Sequence, residues 1–549
     1  MCMLNKMRVT KKEWFVLALL FVVTVTPRFL GLGYSNFYGD ETKTFYWDKT
    51  VPAKQFLLNQ RKGPVQFLVV WVTQQILLQT NIPSSNPQIP NPGFHEFYTR
   101  LPFAIAGTLA VFALYFWIRK IYNQKVAALA AFLLSLTGFY IAFSRTIQYQ
   151  SFLLLFGFLS NLCFSYALDS TEEVSTKKSK LVLILSGAFL GLAFLSHWDA
   201  AFLAIPIFYG FLKQLIPTDP NLKSPTPKRF LKKILPQIFL FLIPLLLILS
   251  TFYLPYFLNG YFTEHTAGYI SRRLNGGTFA RNNSLYTMLT YTPFLPYYLL
   301  LSFSFVIIGS LIPATKESTT NQPPALTQDT SPFMLWLIIG LLTFELLFSN
   351  PGTHIHNYLI TAIILAALGL QSFYETFASS RIKQLLLTVL ATLTLGFIFL
   401  CDLFIYVPQL HLGYPWKDVS LGRFHLEHAN KEENHLFLYG FPYNRQWKQV
   451  RDYLYSLEGV RTVYTNDNAT VAEHYLRAYD VVAPGSNFLP QYYVLVQASH
   501  EFKFPSEEFL KHYVSVKAFS PPASLLDYPC SHCGLDPFVA VLKRKDLVD

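Results

Sequence analysis

About eleven mostly apolar stretches recur between Trp14 and Val407, most of them near the ~20 residues that a helix needs to cross a bilayer. They run Trp14–Gly33, Leu101–Ile118, Val126–Phe143, Phe152–Leu168, Leu181–Leu195, Ala200–Leu215, Ile234–Leu258, Phe294–Leu311, Phe333–Phe348, Tyr358–Leu370 and Leu385–Val407. Only 14% of the 549 residues are charged, whereas 52% are hydrophobic. A soluble domain carries about 25% charged residues, so a soluble enzyme and a disordered chain are both excluded. The recurrence of the runs excludes a single-pass anchor. The net charge of +12 reflects basic clusters between the spans, as cytoplasmic loops carry them, and does not call for nucleic acid as a partner.

Those clusters fix an expected topology. Lys11/Lys12, Arg119/Lys120/Lys125, Lys177/Lys178/Lys180, Lys223 to Lys233 and Arg381/Lys383 all lie inside only if an even number of crossings separates neighbouring clusters. A further run, Val65–Leu78, would break that parity if it crossed. It is short, is interrupted by Gln74 and Gln75, and leads into the proline-rich stretch Pro83–Pro92. It reads as a juxtamembrane or re-entrant helix on the outer side. The sequence therefore predicts a multi-pass protein of the cell (plasma or inner) membrane, N-terminus inside. The N-terminal run is too long for a signal core and reads as a retained first span.

Residues 1–407 form the expected membrane domain, with outer loops at 34–100 and 259–291. Beyond Val407 the apolar runs shorten. His435–Tyr439, Val460–Tyr464, Tyr492–Gln497 and Phe538–Leu542 read as strands, and Trp447–Ser456 and Thr470–Leu476 as amphipathic helices. Residues 408–549 are thus an expected α/β domain on the outer face. Cys530 and Cys533 form a single CxxC, which suits a local disulfide or two free thiols better than half of a zinc site.

The outer loops hold the unusual polar residues. Asp40 and Glu41 follow the first span, with Lys43 one turn from Asp40. Arg61 and Lys62 open the juxtamembrane helix, Arg100 opens the second span, and Arg145 stands with Gln148 and Tyr149 in the next outer loop. Carboxylates at a span mouth are costly unless solvated or used. Beside so many cations they suit chemistry on an anionic lipid headgroup, with Arg and Lys holding a phosphate and Asp acting as general base.

Asp-Glu after span one, a basic residue before proline in the same loop, Arg100-Leu101-Pro102 and Gly191-Leu-Ala-Phe-Leu-Ser-His197 together resemble the GT-C glycosyltransferases. The nearest branches are protein O-mannosyltransferases and lipid A aminoarabinose transferases. The resemblance implies an all-α polytopic GT-C fold and transfer of a sugar (mannose-like, or another hexose or pentose) from a polyprenyl-phosphate donor. The acceptor, on the outer face, would be a protein, lipid or glycan. It implies Asp40 as the catalytic carboxylate with Glu41 beside it, and Lys43, Arg61, Lys62, Arg100, Arg145 and His197 around the donor phosphate. Gly63 stands where relatives have the first of two prolines, and His197 where many have a lysine. A charged His197 would then have a raised pKa.

Weaker candidates for substrate contact are Gln148, Tyr149, Asp199, Glu264, His265, Arg272, Arg273, His354, His356, Asn357 and Tyr358. Solvated loop chemistry competes for the pair Glu264/His265 with Arg272/Arg273, and helix-end anchoring competes for His354-Ile355-His356. No metal or other cofactor is required by the expected chemistry, though Asp40 and Glu41 leave room for a divalent cation. A flippase or transporter is the competing class, but it calls for midspan charges and two related halves. A ligase or polymerase using a diphosphate-linked donor is the third.

Overall fold

The computed structural model describes residues 10–48, 50–80, 94–168, 177–215, 234–274, 329–347, 352–407, 419–421, 424–426, 444–477, 480–482, 489–497, 505–519 and 538–548. The expected span Phe294–Leu311, the strand His435–Tyr439 and the pair Cys530/Cys533 lie outside these residues.

Helix α1 (Lys11–Phe29) starts at Thr10, whose hydroxyl accepts the N–H of Glu13. It is followed by two short helices, α2 (Gly39–Thr42) and α3 (Ala53–Leu58), and by α4 (Val65–Gln79), 15 residues long. That length fits the juxtamembrane reading of Val65–Leu78. The long α5 (Glu96–Ile121) is one of six described helices that are long and apolar enough to cross a membrane. The others are α8 (Gln150–Leu168), α9 (Lys177–Ser196), Leu235–Leu258, His356–Phe377 and Arg381–Tyr406. The expected span Val126–Phe143 is broken instead, with α6 (Gln124–Ser135) and α7 (Gly138–Ser144) meeting at 66°. Ala200–Leu215 and Phe333–Phe348 contain shorter apolar helices. The chain is thus a mostly helical polytopic protein.

Packing grades the helices. Most of the apolar window of Glu96–Ile121 is buried within the protein, 67%, whereas Arg381–Tyr406 buries only 11% and presents Leu385, Leu386, Leu390 and Leu393 outward. Such faces suit lipid.

Beyond the last of these helices the described residues build a hairpin, β1 (Val419–Leu421) with β2 (Phe424–Leu426), and a five-stranded sheet. Its strands are β3 (Thr462–Thr465), β4 (Asp480–Val482), β5 (Tyr492–Gln497), β6 (Tyr513–Phe519) and β7 (Phe538–Arg544), in the order β4-β3-β5-β7-β6. β3 runs parallel to β4 and β5, while β7 runs antiparallel to β5 and β6. Helices Trp447–Tyr455 and Ala469–Tyr475 pack with the sheet, close to the expected helices. Strands β4 and β6 were not expected.

The sheet domain is seated on the loop after α1. Arg445 donates its backbone N–H to Asn36 Oδ1 at 2.8 Å, and Phe37 N–H reaches Tyr475 Oη at 3.0 Å. Tyr475 Oη in turn donates to Glu96 Oε1 at 2.8 Å, and Lys448 Nζ pairs with Glu96 Oε2 at 2.7 Å. One apolar core runs through both parts, from Phe37, Phe45 and Phe94 to Trp447, Val450 and Val463. The loop after α1 and the C-terminal domain therefore lie at the same end of the helical bundle.

Candidate active site

Two adjacent carboxylates on α2 have opposite environments. Asp40 points outward and is about half exposed, 2.8 Å from Lys43 Nζ. Glu41 is fully buried. Its Oε1 accepts Arg100 Nε at 2.8 Å and Ile147 N–H at 2.9 Å, while Oε2 accepts Arg100 Nη2 at 2.7 Å and Tyr38 N–H at 2.8 Å. Four donors satisfy the lone pairs of this buried carboxylate. Glu41 is thus the anchor of the loop. Both of its oxygens are already engaged, in contrast to those of the outward Asp40.

Arg100 was expected at the donor phosphate. The structure instead commits every one of its nitrogens internally, to Glu41, to the carbonyls of Leu32, Ser35 and Asn36, and to Ser35 Oγ. Arg145 is likewise buried, donating to the carbonyls of Pro27, Leu30 and Gly31 at the end of α1. A carbonyl-rich helix C-terminus attracts a cation, so its place follows from the helix dipole. Both arginines shape the loop rather than face its opening.

Arg61 and Lys62 have a different setting. The turn that carries them passes so close to the end of α9 (Lys177–Ser196) that a Cβ on Gly63 would lie 2.2 Å from the Leu195 carbonyl oxygen. Gly63 has φ +126°, a conformation closed to proline and strained for any other side chain. The glycine that replaces the relatives' proline therefore has its own physical reason. Beyond it, Gln66 donates to the Ile147 carbonyl at 3.0 Å. Ile147 thus ties α2 through its N–H and α4 through its C=O. Arg61 lies over the Tyr269 ring, 3.9 Å from its centroid, and Lys62 Nζ is 5.8 Å from the ring centres of both Tyr149 and Tyr269. These cation–π contacts draw the two basic heads to one place. Tyr269 was not expected there, because one more tyrosine in an aromatic-rich chain carries no sequence signal.

Tyr149 leads to the third group. Its ring stacks on His197 at 3.9 Å, and its hydroxyl lies 3.2 Å from both Asp199 Oδ2 and His354 Nδ1. Asp199 Oδ2 is 2.8 Å from His354 Nδ1 and 3.3 Å from His356 Nε2, and Oδ1 is 3.0 Å from His197 Nδ1. Burial pushes the His197 imidazole down to about 3, in spite of Asp199. The direction is opposite to the raised pKa expected for His197, because the ring is enclosed. Burial would raise Asp199, but His197 and His354 outweigh it and hold the carboxyl well below the usual range.

The remaining candidates are dispersed. Glu264 and His265 lie 3.7 Å apart in the segment Phe262–Ala267; Glu264 is exposed, and His265 is partly buried and stacked on Tyr261. Arg272 and Arg273 belong to the helix Gly268–Leu274, the element that supplies Tyr269. Gln148 is buried. Asn357 donates to the His354 carbonyl at 3.0 Å, and Tyr358 is buried against Phe344, so both shape the helix start that presents His354.

Residues 92–253 match the sequence family described as dolichyl-phosphate-mannose-protein mannosyltransferase. YycA of Bacillus subtilis (strain 168), provisionally named a mannosyltransferase, is 32% identical over 120 residues, covering 22% of this chain but only 16% of that protein. The crystal structure of ArnT from Cupriavidus metallidurans in the apo state superposes with a TM-score of 0.52 at 12% identity, covering 98% of each chain. The structure of the same protein bound to undecaprenyl phosphate gives 0.51 at 11% identity, over 98% of this chain and 100% of that one. At such identity the likeness establishes the fold, which is that of the GT-C glycosyltransferases.

Proposed function

We propose that this chain, with a segment of the mannosyltransferase family set in a GT-C fold, is an inverting glycosyltransferase. It moves a sugar from a polyprenyl-phosphate donor to a protein, lipid or glycan acceptor on the outer face of the membrane. The observation that carries the reading is an outward carboxylate, Asp40 on α2, and two cations, Arg61 and Lys62 just ahead of α4, with both helices tied to the backbone of Ile147. The family match and the ArnT fold support the reaction class, and the bound undecaprenyl phosphate of that relative supports the donor class.

In this scheme Asp40 accepts the acceptor's proton as its oxygen attacks the anomeric carbon. The bond to the phosphate breaks on the opposite face, so configuration inverts. Lys62 and Arg61 neutralise the charge growing on the departing polyprenyl phosphate, a preorganised contribution that favours the transition state. Lys43 restrains Asp40, and Glu41, Arg100 and Arg145 hold the loop. No step of this scheme needs a metal.

About eleven spans, an N-terminus inside and a C-terminal domain outside complete the reading. The domain then covers the acceptor side of Asp40. Mass spectrometry of cells lacking the protein provides the test. A polyprenyl-phosphate sugar should accumulate while one envelope glycan modification disappears. An unchanged lipid-linked pool and an unchanged set of glycans overturn the reading.

A further inference from the structure

Two segments bring metal-ligating side chains together at the same i, i+2 spacing, although His354 lies 155 residues from its partner Asp199. One offers His197-Trp198-Asp199, the other His354-Ile355-His356. We propose that His197, Asp199 and His354, with His356 at the margin, form a binding site for one divalent transition cation. Asp40 is not among its ligands, and the site does not depend on the catalytic reading.

Geometry carries the assignment. The candidate ligand atoms of His197, Asp199 and His354 all lie within 4.8 Å of one another. In a tetrahedral zinc site with ligands at about 2.0–2.1 Å, neighbouring ligand atoms stand roughly 3.3 Å apart. The present separations, 3.0 Å from His197 Nδ1 to Asp199 Oδ1 and 2.8 Å from His354 Nδ1 to Asp199 Oδ2, need to open only slightly.

The hydrogen bonding of His197 supplies a second observation. Its Nδ1 accepts the backbone N–H of Asp199 at 3.1 Å and then has no proton for the carboxylate oxygen 3.0 Å away. The opposite tautomer serves the carboxylate but leaves Nε2 as a buried acceptor, and Nε2 has no hydrogen-bond partner in either case. Neither tautomer satisfies both contacts at Nδ1, whereas a cation taking the Nδ1 lone pair in place of the Asp199 N–H, and shared with Oδ1, removes the repulsion there.

The donor set names the class of ion. Two or three imidazole nitrogens with one carboxylate suit Zn²⁺, Co²⁺ or Ni²⁺, whereas Mg²⁺ and Ca²⁺ ask for oxygen shells. Tyr149, with its hydroxyl 3.2 Å from Asp199 Oδ2, would orient that ligand from behind, as outer partners of metal-binding carboxylates do.

The test uses full-length, tag-free protein in detergent, stripped with a chelator and reloaded with Zn²⁺ or Co²⁺. Elemental analysis should find one zinc bound per chain, and Co²⁺ should give visible absorption bands of low-coordinate imidazole ligation. His354→Ala and Asp199→Asn should lose the metal, while His512→Ala, on the surface of the C-terminal domain, should keep it. X-ray absorption at the zinc edge of the unmodified protein should show at least two imidazoles, a readout that stands even where the variants do not fold. Absence of stoichiometric metal, or equal loading of folded His354→Ala, overturns the site. Neither readout requires sugar transfer, so failure here leaves the catalytic proposal untouched.

Discussion

Glu41 grips Arg100 through both carboxylate oxygens, at 2.7 and 2.8 Å, with neither side chain reaching solvent. The pair closes the loop between α1 and α5 over 59 residues of sequence and leaves the neighbouring Asp40 outside. Adjacent acidic residues thus divide the work, one holding the backbone and the other facing the opening.

Breaking the pair should act on stability. Glu41→Gln strands a buried guanidinium and is expected to cost about 3–5 kcal/mol. A thermal unfolding scan in detergent should show the loss, and Arg100→Lys should reproduce much of it, because an ammonium cannot fill a fork of acceptors. Wild-type melting of Glu41→Gln refutes the anchoring role.

Asp40→Asn should behave in the opposite way. The side chain keeps its shape and exposure, so melting should not change. Transfer from a polyprenyl-phosphate sugar should fall roughly 10²–10⁴-fold if this carboxylate is the general base. Unimpaired turnover by the purified variant would remove Asp40 from the chemistry.

The turn at Gly63 is expected to be as sensitive as the cations it presents. Lys62→Ala removes one charge-assisted contact and should weaken binding of undecaprenyl phosphate about tenfold or more. Gly63→Ala should do the same with Lys62 intact, since its Cβ meets the Leu195 carbonyl and forces the turn away from α9. Titration of both variants with the product lipid decides the point. Undiminished affinity in either places the phosphate elsewhere.

Sidedness can be read by chemistry at single cysteines. In a chain with the native cysteines replaced, Lys54→Cys at the exposed N-terminal end of α3 should react with an impermeant maleimide in intact cells. Lys178→Cys, at the start of α9, should react only after permeabilisation. The reverse pattern would invert the topology.

Much of this architecture was legible in the sequence, for reasons the structure makes plain. Long apolar runs become buried or lipid-facing helices whatever their neighbours, and parity of basic clusters rejected a crossing at Val65–Leu78, which forms a short helix. The site was legible in outline only. Nothing in Asp40-Glu41 tells which carboxylate turns inward, because that depends on Arg100 arriving from another helix. His197 looked like a titrating substitute for lysine, but the structure encloses it beneath the Tyr149 ring, and burial moves its pKa down rather than up. Strands β4 and β6 escaped notice because one is three residues long and the other alternates weakly, with pairing supplied by β3 and β7.

Acid should loosen the seat of the C-terminal domain through His474. This ring packs among Phe37, Phe45, Trp47 and Phe94, with Nδ1 unpartnered, and burial pushes its pKa down to about 3. Glu96 favours the protonated form, but Arg477, Arg451 and Lys448 oppose it. An unfolded or undocked histidine titrates near 6.5. Above that value both states are neutral and the ring contributes its full packing. As pH falls below it, the undocked state binds a proton that the docked state refuses, so docking weakens by about 1.4 kcal/mol per pH unit until the docked ring also protonates near pH 3. At pH 5 the loss amounts to about 2 kcal/mol. Hydrogen exchange across Trp447–Tyr455 and Ala469–Tyr475 should therefore speed up between pH 7 and pH 5 relative to the intrinsic rate. His474→Phe, which keeps an aromatic ring in the same cage and cannot titrate, should flatten that dependence. Equal acid sensitivity in the variant would assign the loosening to other groups, with the salt bridge between Lys448 and Glu96 the next to examine.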